Sequence, residues 1–100
     1  MDIIKLEKEF VKNHYEGHSS PVRFIQLEET DNAYLYKREI GSYVDYEVFV
    51  KKVKNKRARI DGELKNTDIL TEKYPNAAAF GFWAWSFRDK DKAYKKLKEL

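Results

Sequence analysis

The sequence predicts a single α+β domain over residues 1–100. The expected order is helix, four strands, helix (α-β-β-β-β-α), with both helices on one face of an antiparallel sheet of about four strands. Three observations predict it. Residues 2–15 repeat apolar side chains at helical spacing, residues 22–53 alternate around a two-residue turn, and an aspartate precedes a second helical repeat near the end. One hundred residues suit one domain and bury about two-thirds of the unfolded surface.

In chain order, Asp2 is placed to cap the first helix. Ile3, Leu6 and Phe10 lie beside Ile4, Val11 and Tyr15 as one broad apolar face, with Lys5, Lys8, Glu9 and Lys12 on the wet side and Gly17 as the stop. His14 and His18 have a two-histidine spacing, but Gly17 intervenes and no third ligand follows. A zinc site needs three or four ligands, so no metal is expected.

Strands are expected over 22–28, 33–40 and 43–53. Thr30-Asp31-Asn32 makes the first turn and Gly41-Ser42 the second, a two-residue hairpin with glycine leading. That turn fixes the register: Ile40 opposite Tyr43, Arg38 opposite Asp45, Tyr36 opposite Glu47, Tyr34 opposite Phe49. The intervening pairs are Glu39 with Val44, Lys37 with Tyr46, Leu35 with Val48 and Ala33 with Val50. Opposed residues share a face. One face is therefore aliphatic, and the other carries Tyr34, Tyr36, Tyr43 and Phe49 around an Arg38–Asp45 pair.

Residues 51–59 hold six cations in nine positions, and Asp61-Gly62 signals a further hairpin closing on Ile60 and Leu64. Residues 65–79 read as a packed loop or short helix, with Asn76 capping one turn through Ala77–Ala79. Residues 80–87 form the fourth strand, with Trp83, Trp85 and Phe87 turned to the core beneath the helices and Phe82, Ala84 and Ser86 turned away. Asp89 caps the last helix, whose buried stripe is Ala93, Tyr94, Leu97 and Leu100.

Tyr46-Glu47-Val48-Phe49, Tyr74-Pro75, Phe80-Gly81, Trp83-Ala84-Trp85 and Ala93 resemble the pattern of a family of small bacterial proteins of phage and mobile-element type. The resemblance implies a compact α+β domain and a mobile-element setting, with no activity or catalytic residues to carry over. It covers about half the chain and includes neither the first forty residues nor 51–59. The expected element order also parallels that of double-stranded-RNA-binding domains, but a tryptophan-rich strand intervenes before the last helix. Order alone does not carry function.

Without cysteine, thiol catalysis and cysteine-ligated zinc are excluded, and a reducing, cytoplasmic setting is expected. No apolar run reaches membrane-spanning length. No Ser/His/Asp set, glycine-rich phosphate loop or metal spacing can be assembled, so neither an enzyme nor a cofactor is expected. Residues 1–50 carry six Lys/Arg against ten Asp/Glu, and residues 51–100 carry fourteen against seven. Such a split suits either mutual attraction of the halves or an anionic partner.

The first functional expectation is a non-catalytic protein-binding or assembly module, meeting an unidentified protein through Tyr34, Tyr36, Tyr43 and Phe49 or through the open sheet edge. The alternative is nucleic-acid binding through Lys51, Lys52, Lys54, Lys56, Arg57 and Arg59, with Lys92, Lys95 and Lys96 as a second patch.

Overall fold

The computed structural model describes residues 3–13, 17 and 19–100. Among them the fold is mostly β: eight strands in two sheets and a single α-helix. This corrects the expected α-β-β-β-β-α order with helices at both ends. The described part of the expected N-terminal helix contains two short strands, β1 (Ile3–Ile4) and β2 (Glu9–Lys12). Asp2, His14, Tyr15 and His18 lie outside the described residues. The chain forms two compact units, Met1–Leu6 with Lys51–Tyr74, and Glu7–Val50 with Pro75–Leu100.

The larger unit is a five-stranded antiparallel sheet in the order β2-β3-β4-β5-β8. Its other strands are β3 (Val22–Glu29), β4 (Ala33–Ile40), β5 (Tyr43–Val50) and β8 (Ala84–Phe87). The β4–β5 register matches all eight expected pairs, from Ile40 opposite Tyr43 to Ala33 opposite Val50. Gly41 takes φ 58, the left-handed conformation that the leading position of this turn requires.

Helix α1 (Lys90–Glu99) is capped as its sequence predicts. The Asp89 carboxylate accepts from the Asp91 and Lys92 amides at 2.8 and 3.2 Å. Ala93 and Leu97 of α1 pack with Ala33, Leu35 and Val48 of the sheet, and Tyr46, Phe87, Tyr94 and Leu100 line the margin. Strand β8 is half the length expected: Phe80 makes only an isolated bridge, and Gly81, at φ 91, stands in the turn that precedes Ala84. Trp83 and Trp85 are half-buried, while Phe82 is 82% exposed. Asn76 caps the single 3-10 turn Ala77–Ala79, its side chain accepting from the Ala78 amide.

The smaller unit is a three-stranded sheet in the order β1-β7-β6. Strands β6 (Val53–Ile60) and β7 (Glu63–Glu72) form a long antiparallel hairpin, and β1 runs parallel to β7. The turn is Asp61-Gly62, at φ 53 and φ 80, two positive angles that match the twist of a tight hairpin. Strand β7 corrects the expected loop or helix over 65–72, where pairing runs to Glu72 opposite Val53; residues 73–79 are the expected loop and capped turn.

Candidate nucleic-acid interface

The four aromatic residues expected to meet a protein partner do not form a surface. Tyr34, Tyr36 and Phe49 are fully buried, and only Tyr43 is exposed. The rings of Tyr34, Tyr36 and Phe49 lie 5.7 to 5.8 Å apart, and Phe10 stacks on Phe24 at 4.6 Å. The Tyr36 hydroxyl donates to the Glu7 carbonyl at 2.6 Å and accepts from the Gln26 amide at 3.0 Å. Buried phenols with satisfied hydroxyls are core residues. Tyr43 instead carries the Arg88 guanidinium 4.4 Å above its ring.

The Arg38–Asp45 pair on the same face is also interior. Its two hydrogen bonds are 2.8 and 2.6 Å long, and the Glu47 carboxylate lies 3.6 Å from the same guanidinium. Arg38 and Glu47 line a shallow hollow with Ala77, Phe80 and Ser86. Arg23, on the exposed side of β3, has its pKa raised by a hydrogen bond to Glu9, then by the charges of Glu9 and Glu39. An arginine is protonated at neutral pH regardless, so the shift changes no chemistry there.

The basic stretch has the opposite fate. Lys52, Lys54, Lys56, Arg57 and Arg59 are exposed, and Lys51 is half-buried. Lys54, Lys56, Arg57 and Arg59 all belong to β6, which contains no acidic residue and lies at the sheet edge. Counting Asp2, the smaller unit has nine Lys/Arg and five Asp/Glu, while the larger has eleven and twelve.

The middle of the hairpin is irregular and cross-linked by side chains. Register shifts between Asn55 and Arg57, leaving Lys56 at the bulge. There the Asn55 amide donates to the Thr67 carbonyl at 2.8 Å, and the Thr67 hydroxyl donates to the Lys56 carbonyl at 2.7 Å. The Ile69 amide in turn donates to the Thr67 hydroxyl at 3.2 Å. Bulges re-aim side chains, and these bonds hold this one in place. Two open hollows adjoin it, of about 410 and 480 Å³. Both are lined by Lys54, Asn55 and Arg57; the first adds Ile4, Lys56 and Thr71, the second Asn66.

Asn55, Asn66 and Thr67 were not among the sequence candidates. The signal for Asn66 was present: counting back from Asp61-Gly62 sets Arg57 opposite Asn66, as observed. On α1, Lys92, Lys95 and Lys96 line a third hollow of about 300 Å³ with Phe87 and Glu99. Lys96 is already engaged there, 4.0 Å above the Trp85 ring and 3.7 Å from Glu99. Hairpin and helix patches belong to different units.

Among the described residues no group of three or more His, Cys, Asp or Glu side chains is placed to hold a metal. No helix among them is long and apolar enough to cross a membrane. Among the described residues the structure defines a two-sheet fold with one α-helix and a basic edge hairpin. No family model, curated protein or solved structure matches the chain.

Proposed function

We propose that the protein binds nucleic acid through the β6–β7 hairpin. The observation that carries this reading is the edge strand β6, with four exposed cations, no carboxylate, and amide side chains at the adjoining hollow. Phosphate binding needs solvent-reachable Lys and Arg on a rigid frame, and polar amides alongside them supply donors and acceptors for bases. Each phosphate neutralised steepens the fall of log K with log salt by about 0.9 on B-DNA. Replacing Lys54, Lys56 and Arg57 together with Ala should therefore flatten the slope by up to about 2.7 and weaken binding at 50 mM salt. Absence of any binding at that salt would refute the reading and leave the cations as guards against edge-to-edge pairing.

A protein partner is the second reading, and Phe82 favours it. At 82% exposure, in a turn held by the Phe82 and Trp83 amides donating to the Ala79 carbonyl, it presents a large apolar ring on a fixed mount. Phe82→Ser should remove an associated protein recovered by cross-linking without lowering thermal stability. An unchanged cross-linking pattern would count against this reading.

A further inference from the structure

Resting on the nucleic-acid reading of the hairpin, we infer that its ligand is duplex DNA, with the β6–β7 ribbon lying in the major groove. The inference starts from the two faces of the ribbon near its turn. Opposed residues share a face, and so do residues two apart on one strand. Arg57 opposite Asn66 and Arg59 opposite Leu64 therefore make one face, and Ala58 opposite Lys65 and Ile60 opposite Glu63 make the other.

The first face has no carboxylate. Its guanidiniums match the O6 and N7 acceptors of guanine, its amide matches N6 and N7 of adenine, and its leucine suits the thymine methyl. Among the described residues Arg57 has no ion-pair partner, while Arg59 donates to the Gly62 carbonyl at 3.3 Å and so follows the turn. Glu63 lies on the opposite face, where it meets Lys65 at 3.7 Å. One side of the ribbon thus carries the groups that read base edges, and the neighbouring Lys54 and Lys56 are left for phosphates.

Size and composition narrow the ligand further. The eight residues of β6 extend about 26 Å at roughly 3.3 Å per residue, within one turn of B-DNA at about 34 Å. The major groove of B-DNA admits a two-stranded ribbon, whereas that of A-form RNA is too narrow for side chains to read. Single strands are held chiefly by stacking on aromatic rings, and residues 51–73 contain no Phe, Tyr or Trp.

The test is fluorescence anisotropy of the full chain at 50 to 200 mM salt with three labelled 24-mers of one sequence: duplex DNA, its single strand, and duplex RNA. Duplex DNA should bind at least about tenfold more tightly than the other two. Methyl green, a major-groove ligand, should displace the protein, and netropsin, a minor-groove ligand, should not. Arg57→Lys with Asn66→Ala keeps the charge but removes the fork and the amide, and should weaken duplex binding at least about fivefold. Arg57→Lys alone serves if the double variant loses its circular-dichroism spectrum. Equal affinity for all three ligands, preference for either alternative, or displacement by netropsin alone overturns the inference while leaving the interface standing. No binding to any of them overturns both.

Discussion

Arg38 and Asp45 face each other across β4 and β5, joined by a two-pronged hydrogen bond, and Asp45 is 2% exposed. Glu47, 3% exposed, leans on the same guanidinium from 3.6 Å. Two interior carboxylates thus share one cation. Arg38→Met should cost about 3–5 kcal/mol, because the interior Asp45 carboxylate loses its two-pronged partner. Asp45→Asn should cost less, since Arg38 keeps the Glu47 carboxylate beside it and no carboxylate is left without its partner. Urea unfolding of the two variants measures the difference, and the reverse order would contradict the ranking.

Tyr36→Phe removes a hydroxyl that both donates to Glu7 and accepts from Gln26. The expected loss is about 0.5–1.5 kcal/mol, the net worth of hydrogen bonds whose other partners water can still reach. Amide exchange should localise it. The Gln26 backbone N–H, bonded to the Lys8 carbonyl at 2.7 Å, should exchange faster, and amides of α1 should not.

Gly62→Ala should destabilise the hairpin by about 1 kcal/mol. An added Cβ meets nothing within 4 Å, so the cost comes entirely from the backbone at φ 80. Asn at this position, which tolerates the left-handed region, should cost less than Ala. Hydrogen exchange at Ile60 and Glu63, the pair that closes the turn, reports the order, and equal exchange in both variants would contradict it.

Asp89→Ala deprives the Asp91 and Lys92 amides of their acceptor. A loss of about 1 kcal/mol is expected, typical of an N-cap. Asp89→Asn should recover most of it. Thermal melts followed at 222 nm test both.

The β4–β5 pair and α1 were legible because local chemistry decided them. Gly41-Ser42 set the register, and Asp89 marked where the helix begins. The N-terminal strands were not, because Ile3, Leu6 and Phe10 satisfy a helical repeat as well as they fill short extended segments. What decides for strand lies far off: Ile3 pairs with Leu70, and Phe10 stacks on Phe24. Strand β7 was hidden by the bulge opposite Lys56, which breaks the alternation a strand would show. The tyrosine face was read correctly as a face, but pairing within one hairpin does not reveal that Glu7 reaches Tyr36. The basic candidates were legible as charges, and Asn66 follows from counting back from Asp61-Gly62; Thr67 lies beyond the register shift and does not.

The pairing of β1 with β7 also bears on how the protein comes into being. The Leu6 amide donates to the Glu72 carboxylate across 66 residues of chain, at 3.0 Å. At about 5–20 residues per second of synthesis, the first strand waits roughly 3–13 s for its partner to be made. Local hairpins can form in microseconds, so the Ile40–Tyr43 and Ile60–Glu63 turns can close while the N-terminal strand is still unpaired. Strand β1, made before β7, is therefore among the last parts of its sheet to be secured.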